Sequence, residues 1–587
     1  MTAQAFVLRY CTTPTNMALG LAFILALLAT TCREEAGRRQ TYPEEGGLIF
    51  APTAENDCLA SGQSLPPEIT KILVNVVVEG SGSVVRTYEL SPSQASLFIG
   101  DGIPPGRYVL KAVACGDKKA LFKGESEPFS VEAGVISAPL VYMTRVDAPS
   151  CVGQANTHPL VKANRFMEDG RLAFASLCAL DESHVVMAGG VHRVTRVPKG
   201  LALEADDGLF VLSLRSGLFE TLKDAEGYVL GLSEPRAMHR CALVDKDRVA
   251  YFGGAKKATL ALRRDKSVGD IFEDVLPPEH LIEVFPLSGG SSDFVETSVQ
   301  CALPASDVRE DIGMVVLAGG IDADKKISKR IVFWDYKKGN VTGGDLKIPR
   351  YGGNLHILST GQVLVFGGVT GSDAQGAELA WTEDGTVTSV AMTQIELPVG
   401  FATSLVLKDD LHEAVIFVVA GVREVQGGFA SSAEPITKLL RVKGDGDKYT
   451  LEGAEVQDIV WDSAPDGLVL PPLPTFIRSS ENGFLLNALT DKDETDNISC
   501  AEHLDKNSCY SAIIALALDL ERAKLSRSAL FYDYHLRIGA SSLAMKDSFA
   551  MVFGGIALDN GVESPTLLST GFLYPVAQAE NNVSCGD

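Results

Sequence analysis

The densest set of oxygen ligands in the sequence is a twelve-residue run that starts at Asp491. Side-chain oxygens occur at positions 1, 3, 5, 7, 9 and 12 of the run, the spacing that calcium-binding loops use. The residues at these positions are Asp491, Asp493, Thr495, Asn497, Ser499 and Glu502. The position that calcium loops reserve for glycine holds Asp496, and no amphipathic helix pattern flanks the run. The run is a calcium candidate, and the pattern favours a solvated loop between two strands.

Four ring side chains could bind a transition metal if the fold brings them together. Tyr534 and His535 are adjacent, whereas His239 and His356 lie in other segments that read as strand hairpins. Imidazoles from separate elements can converge on one metal ion. Nine histidines in 587 residues are a thin supply, so we expect histidines that are hydrogen-bonded in the core or exposed on the surface.

The cysteines suggest both buried thiols and disulfides, which can form in an exported chain. Cys178, Cys241 and Cys301 each open a Cys-Ala-Leu triplet in successive repeats, and we expect buried side chains with free thiols. Six other cysteines can be paired by location, although spacing does not fix connectivity. The pairs are Cys58 with Cys115, Cys500 with Cys509, and Cys151 with Cys585.

The first 31 residues predict an export signal. The apolar run Met17–Leu28 follows Arg9 and precedes Cys32 and the polar stretch REEAGRRQ, and it is too short for an ordinary membrane-spanning helix. The segment resembles the signal peptide and lipobox of a bacterial lipoprotein, with Thr31 where that family has a smaller residue. The resemblance implies lipidation of Cys32, a flexible tether over 32–64, and location at the outer membrane or cell surface. The alternative is a plain secretory signal.

The charge balance argues against one class of partner. Lys and Arg number 52 against 75 Asp and Glu, a formal net charge of −23. A surface this acidic repels phosphate backbones, so we expect no nucleic-acid partner.

Residues 65–147 predict a small β-sandwich. Alternating apolar runs such as ILVNVVVEG and GRYVLKAVA are separated by Gly and Pro every eight to twelve residues, which is typical of short antiparallel strands. The segment resembles the immunoglobulin-like modules of bacterial surface proteins.

Glycine doublets at the ends of apolar runs recur along residues 152–580. The doublets are Gly189-Gly190, Gly253-Gly254, Gly319-Gly320, Gly367-Gly368 and Gly554-Gly555, with Ala420-Gly421 as a degenerate form and Asn487-Ala488 in a hidden repeat. Arg236, Arg350 and Arg537 each lie 17 residues before the first glycine of their doublet, and Arg171 lies 18 before Gly189. A strand, a short polar turn and a glycine-ended strand occupy each interval, which predicts a hairpin.

The doublets, the arginines and His239 resemble kelch-type propellers, in particular those of exported bacterial lipoproteins. The resemblance implies an all-β chain with a propeller of seven blades, or six, behind the sandwich. The glycines are expected to adopt positive φ and to approach a neighbouring blade. The arginines are expected to bond carbonyls or carboxylates across the blades.

We expect a binding scaffold without catalytic residues or cofactors, whose protein or glycan ligand lies on the long loops of one propeller face. One alternative is an enzyme of the galactose-oxidase kind with an axial site built from tyrosine and histidine. Another is a purely structural envelope protein. An axial cluster of His, Tyr and acidic residues would favour an enzyme, and an exposed aromatic patch would favour binding.

Overall fold

A computed structural model describes much of the chain, and all elements in the described residues are β-strands. The described residues are 46–50, 53–54, 65–92, 98–117, 119–152, 172–198, 200–261, 271–370, 376–425, 428–462, 468, 470, 473–480, 482–491, 509–533, 537–545, 549–557, 565–568, 570–575 and 585. Within these ranges, no helix has the length and apolar character needed to cross a membrane.

The first ten strands form two sheets that share one core. They are β1 (Gly46–Phe50), β2 (Thr53–Ala54), β3 (Lys71–Val78), β4 (Val84–Leu90), β5 (Phe98–Ile103), β6 (Gly106–Gly116), β7 (Lys119–Glu125), β8 (Phe129–Val131), β9 (Ile136–Ser137) and β10 (Tyr142–Arg145). One sheet has the order β5-β1-β9, and the other has the order β2-β10-β7-β6-β3-β4 with β8 beside β6. In β3, Ile72, Val74 and Val76 are buried at alternate positions, because successive side chains of a strand point to opposite faces.

This sandwich begins earlier than the sequence predicts. Leu48 and Phe50 of β1 are fully buried among the side chains of β3 and β6, and β2 pairs with β10. The predicted tether over 32–64 is therefore wrong for residues 46–50 and 53–54. Residues 32–45, together with the predicted signal peptide, lie outside the described residues.

The remaining strands build the second domain. The first group is β11 (Ser150–Val152), β12 (Ser176–Ala179), β13 (His184–Ala188), β14 (Val191–Val197), β15 (Gly200–Ala205), β16 (Leu209–Ser213), β17 (Phe219–Thr221), β18 (Ala237–Asp245), β19 (Arg248–Ala255), β20 (Lys257–Ala261), β21 (Phe272–Leu276), β22 (Ile282–Pro286), β23 (Asp293–Phe294), β24 (Cys301–Ala302), β25 (Ala305–Arg309), β26 (Met314–Ala318), β27 (Ile321–Asp322), β28 (Arg330–Asp335) and β29 (Asn340–Asp345). The second group is β30 (Asn354–Ile357), β31 (Val363–Phe366), β32 (Ala377–Glu383), β33 (Thr386–Met392), β34 (Thr403–Asp409), β35 (Glu413–Val425), β36 (Gly428–Gly444), β37 (Tyr449–Asp458), β38 (Val460–Trp461), β39 (Phe476–Arg478), β40 (Gly483–Asp491), β41 (Cys509–Asp519), β42 (Lys524–Asp533), β43 (Arg537–Ile538), β44 (Ser541–Ala544), β45 (Phe549–Phe553), β46 (Ile556–Ala557), β47 (Thr566–Leu567) and β48 (Gly571–Pro575).

Among the described strands, sheets of one repeating hairpin pattern follow each other along the chain, and we number them in order. They are sheet 1 (β12-β13-β16-β17), sheet 2 (β18-β19-β22-β23), sheet 3 (β25-β26-β28-β29), sheet 4 (β30-β31-β32-β33), sheet 5 (β34-β35-β36-β37), sheet 6 (β39-β40-β41-β42-β38) and sheet 7 (β44-β45-β48-β11). The first strand of each sheet contacts the first strand of the next, and β44 of sheet 7 contacts β12 of sheet 1. This cyclic order, with the first strands around the axis, confirms the predicted all-β propeller fold.

Strand β11 completes the last sheet, with Cys151 as its middle residue. It pairs antiparallel with β48, so that sheet 7 combines strands from both ends of the propeller domain. Two hydrogen bonds also join sheet 7 to the start of sheet 1. The Gly555 N–H donates to Leu172 O at 2.7 Å, and the Phe174 N–H donates to Gly539 O at 2.7 Å.

The intact glycine doublets link neighbouring sheets. All ten glycines have positive φ, between 57° and 105°, a region that disfavours residues with a Cβ. In four doublets the N–H of the second glycine donates to a carbonyl that precedes the next sheet, at 2.7 Å each. The pairs are Gly190 with Arg236, Gly320 with Arg350, Gly368 with Val399, and Gly555 with Leu172. The predicted close approach is confirmed.

Two sheets lack a doublet and have longer hairpins instead. Ala420 and Gly421 lie inside β35, which continues to Val425 and pairs with β36. Asn487 and Ala488 lie inside β40, which continues to Asp491 and pairs with β41. The prediction that strands end at these two positions is wrong, because without paired glycines the second strand runs on.

The disulfides differ from the predicted pairs. Cys115 of the sandwich bonds Cys585, with a Cα–Cα distance of 6.0 Å, so the pairs Cys58–Cys115 and Cys151–Cys585 are wrong. The reason is that the sandwich packs on the propeller, which brings strand β6 close to the chain's last cysteine. Cys151 is also disulfide-bonded, and the pair of Cys500 with Cys509 lies outside the residues whose side chains are described.

Cys178 and Cys241 bond each other across sheets 1 and 2, so the prediction of two free thiols is wrong. Cys178 pairs in register with Val186, three residues before Gly189. Cys241 pairs with Tyr251, two residues before Gly253. A shift of one residue turns a side chain to the opposite face of its sheet, so the two cysteines face each other. Cys301 is free and buried, as predicted, and burial followed by the charge of Asp322 raises its pKa to about 12.

Candidate functional site

The repeated arginines have a structural role. Arg236, Arg350 and Arg537 are fully buried. Each guanidinium donates to the carbonyl of the first glycine in its own sheet, at 3.4, 2.9 and 2.9 Å respectively. Arg236 also lies 3.5 Å from the buried carboxylate of Glu283. The predicted bonds to carbonyls and carboxylates are confirmed, but they lie within a sheet and hold the end of its second strand.

Apolar side chains occupy the axis at the end of the propeller that carries the doublets, which we call the doublet face. Phe174, Leu303 and Phe401 each precede the first strand of a sheet, and Met238 is the second residue of β18; all four have positive φ, between 47° and 58°. Bulky residues rarely adopt this conformation, and it persists only where surrounding structure imposes it. They belong to one apolar cluster that draws on most of the sheets.

A four-stranded sheet covers this cluster. Its order is β14-β15-β20-β21, built from hairpins inserted after the doublets of sheets 1 and 2. Phe272 of β21 makes edge-to-face contacts with Phe174 and Phe401, at ring-centroid distances of 6.2 and 5.4 Å. The Tyr351 hydroxyl donates to Phe272 O at 3.3 Å. We call this sheet the cap. The opposite end of the axis, where a turn joins the first two strands of each sheet, is the turn face.

The two histidines that the sequence singled out lie in inner strands but do not meet. His239 is buried, and its Nε2 lies 2.8 Å from Ser176 Oγ in sheet 1. His356 is buried, and its Nε2 lies 2.8 Å from Ser404 Oγ in sheet 5. Each imidazole therefore bridges two neighbouring sheets. Tyr534 and His535 lie outside the described residues, so the predicted oxidase-type cluster is not assembled from the described histidines.

A polar cluster surrounds His356. On one side of the ring, Asp307 Oδ2 of sheet 3 lies 3.8 Å from Nδ1. On the other side, the Ser404 hydroxyl also bonds Asn354 Oδ1 at 2.9 Å. Arg240 of sheet 2, more than half exposed, places a guanidinium nitrogen 3.4 Å from Asp307 Oδ1. Four successive sheets thus contribute to one line of polar contacts beside the axis.

The electrostatics keep Asp307 ionised. Burial alone would raise the pKa of its carboxyl, but the contact with His356, the charge of Arg240 and the Ile357 N–H together hold the pKa below its usual value. The Ile357 N–H donates to Oδ2 at 3.0 Å. A carboxylate fixed beside an imidazole orients that ring.

No carboxylate among the described residues lies beside the second histidine, His239. Burial, and then the charge of Arg236, lowers the pKa of His239 to about 3. Within the described part of the chain, no polar atom bonds its Nδ1. His239 is therefore neutral at physiological pH, and its bond to Ser176 serves packing between sheets 1 and 2.

His356 and Ser404 occupy the same register positions in sheets 4 and 5 as Cys178 and Cys241 occupy in sheets 1 and 2. His356 pairs with Leu364, three residues before Gly367, and Ser404 pairs with Val418, two residues before Ala420. The cysteines Cys178 and Cys241 occupy these same register positions. Sequence reasoning missed Ser404, Asp307 and Asn354, because no local motif marks them; only the inter-strand register, counted back from each doublet, would have aligned them.

The other predicted site residues cannot be placed. In the calcium candidate, only the backbone of Asp491 is described, as the last residue of β40, while Asp493, Thr495, Asn497 and Glu502 lie outside the described residues. No group of three or more His, Cys, Asp or Glu in the described ranges could hold a metal ion. Cys32 also lies outside them.

Comparison with known proteins shows distant likeness in fold only. No protein-family model and no curated protein matches the chain. A fungal alcohol oxidase of the AA5 family, in complex with copper, is 10% identical with a TM-score of 0.41, over 69% of this chain and 74% of that chain. The structure of YjhT is 10% identical with a TM-score of 0.32, over 70% of this chain and 97% of that chain. Likeness at this level says nothing about activity.

Proposed function

We propose that the chain is an exported lipoprotein whose propeller binds a protein or glycan ligand at the cell envelope. Cys32 would carry the lipid, the residues after it would form the tether, and the doublet face would carry the ligand site. In this proposal binding needs no cofactor, and the acidic chain takes no nucleic-acid partner.

One observation supports this function above the others: additional strands accumulate on the doublet face. The cap, the pair β46–β47 and the continued hairpins of β35 and β40 all extend from second strands, which end at that face. Insertions on a rigid scaffold are where binding proteins place their recognition residues. On β14, the edge strand of the cap, His192, Arg193, Thr195 and Arg196 are exposed.

The basic edge of the cap also suggests which ligands to test first. Arg193 lies 3.5 Å from Glu204, and both side chains are well exposed, so this pair contributes little to stability. The guanidinium groups can then bond carboxylates or sulfates of an acidic glycan in pairs.

A binding assay tests the proposal. The soluble chain from residue 33 onward is screened on an array of acidic and neutral envelope glycans. We expect a ligand whose affinity falls at least about tenfold in the double variant Arg193→Ala, Arg196→Ala, since each charged hydrogen bond contributes about 1.5–3 kcal/mol. The matched control is Arg248→Ala on the turn face. Equal loss in both variants, or no bound glycan on the array together with no envelope protein captured by the same immobilised chain, would contradict the proposal.

Lipidation is tested separately. Cells that express the chain are fed radiolabelled palmitate, and we expect label in the wild type but none in Cys32→Ser. Absence of label from the wild type would leave a plain secretory signal as the explanation, and label that persists in the variant would exclude Cys32 as the lipidated residue.

A further inference from the structure

We propose that Ser404 is a nucleophilic serine, activated by His356 and Asp307, which reacts with ester or phosphonyl electrophiles that reach the axis. This reactivity is independent of ligand binding by the cap, because it depends on Ser404, His356 and Asp307 and not on the exposed arginines of β14.

The three side chains stand in the order that nucleophilic catalysis requires. Ser404 Oγ lies 2.8 Å from His356 Nε2, and Asp307 Oδ2 lies 3.8 Å from Nδ1 on the far side of the ring. A base bonded to the hydroxyl, and a carboxylate behind the base, define such a site by geometry rather than by sequence position. Here, three neighbouring sheets each supply one member, so the rigid ring sets their spacing.

The amide of Asn354 completes the hydrogen bonds around the Ser404 hydroxyl. Its Nδ2 is buried and bonds no atom among the described residues, while its Oδ1 lies 2.9 Å from Ser404 Oγ. Amide oxygen and nitrogen exchange places on a half-turn of the side chain, and the hydrogen-bond network decides between the two orientations. In the turned orientation Nδ2 donates to Ser404 Oγ, which removes the unsatisfied donor and frees the hydroxyl proton for His356 Nε2.

The turned amide has a second consequence. An N–H donor about 3 Å from the nucleophile can also bond the oxygen that becomes negative when Oγ attacks. Ser404 and Asp307 are only partly buried, and Arg240 beside them is exposed. A small electrophile can therefore reach the hydroxyl from the axis, and Arg240 favours substrates that carry negative charge.

The protein contains its own control for this inference. Ser176 and His239 make the same 2.8 Å contact between sheets 1 and 2. Behind His239 there is no carboxylate in the described part of the chain, and the nearby Arg236 disfavours a charged imidazole. The two serine–histidine pairs differ in the acidic member, so a reaction that depends on it will occur at Ser404 and not at Ser176.

The reaction is balanced without any further reagent. With a fluorophosphonate, the Oγ–P bond forms, the P–F bond breaks, fluoride leaves, and His356 Nε2 takes the serine proton. With an ester, the Oγ–C bond forms, the alcohol leaves with the proton from His356, and water then hydrolyses the acyl-serine by the reverse path.

Labelling with a biotinylated fluorophosphonate tests the proposal on the full chain, with the modified residue mapped by peptide mass spectrometry. We expect label on Ser404 and none on Ser176. Label should be lost in Ser404→Ala, and its rate should fall at least about 100-fold in His356→Gln and in Asp307→Asn. Ser176→Ala, the matched control, should label like the wild type.

Two outcomes overturn the inference. One is a folded wild type that takes no label on Ser404. The other is a labelling rate in Asp307→Asn equal to that of the wild type, since the cluster would then only hold the sheets together. Thermal melting of each variant identifies any that fail to fold, and the wild-type result decides the question without them. Loss of ligand binding in the doublet-face assay would leave the labelling result unaffected.

Discussion

Replacing Gly554 by alanine tests how far closure of the ring depends on a backbone without a Cβ. Gly554 has a φ of 72°, which costs an L-residue about 1–2 kcal/mol. A Cβ at this position would also overlap the carbonyl oxygen of Leu172, at the start of sheet 1. That same oxygen accepts the Gly555 N–H at 2.7 Å, and breaking this buried bond costs about 1–3 kcal/mol more. We therefore expect a total loss of about 2–5 kcal/mol.

Gly339→Ala is the matched control, because Gly339 has the same φ of 72° and a Cβ at this position would meet no atom within 4 Å. Unfolding entropy grows by about 2 cal/mol/K per residue, so 1 kcal/mol corresponds to roughly 1 °C in a domain of this length. Differential scanning calorimetry should show a Tm lower by about 1–2 °C in Gly339→Ala and by about 2–5 °C in Gly554→Ala. Equal losses would refute the reasoning, since the contact with the next sheet would then contribute nothing.

Three further perturbations follow from the buried groups. Arg350→Met removes two carbonyl bonds of a buried guanidinium, and we expect the urea midpoint to reflect a loss of about 2–6 kcal/mol; an unchanged midpoint would contradict its structural role. Cys178→Ala with Cys241→Ala should cost about 2–4 kcal/mol by the same measurement, and no loss would exclude a bond in solution. The pKa of His239 is lowered to about 3 in the folded state, against about 6.5 in the unfolded chain. The unfolded chain therefore binds the proton more readily between these two pH values. The free energy of unfolding is unaffected by His239 above about pH 6.5 and declines by up to about 1.4 kcal/mol per pH unit as the pH falls toward 3. His239→Gln should flatten this acid slope in urea titrations; an unaltered slope in this variant would count against the burial of His239.

The fold could be predicted because its main signal is local. An apolar run that ends on two glycines marks a point where the backbone can adopt positive φ. The doublets from Gly189-Gly190 to Gly554-Gly555 repeat this pattern along the chain. The strand ends predicted at Ala420 and Asn487 were wrong because these residues lack the conformational freedom of paired glycines, and both fit inside a strand that continues. The cap was not predictable, since β15 and β20 pair only after two hairpins from different sheets come together.

The candidate site depends on register between sheets, which no single segment records. Cys178 and Cys241 look equivalent in their Cys-Ala-Leu triplets, yet they differ by one residue in strand register and so face each other. Ser404 and His356 are aligned in the same manner, although their local sequences share nothing. Pairing of Cys115 with Cys585 depended on how two domains pack, and the spacing of cysteines along the chain contains no information about that.

The placement of β11 has a consequence for the biogenesis of the protein. This strand is synthesised before the rest of the propeller, while its partner β48 is synthesised last. The bond between Cys115 and Cys585 joins residues 470 positions apart. A chain that is released before β48 is made therefore keeps sheet 7 incomplete and leaves strand edges open to aggregation and proteases. Maturation is in this sense all-or-none, because finished molecules differ from truncated ones in their exposed backbone edges.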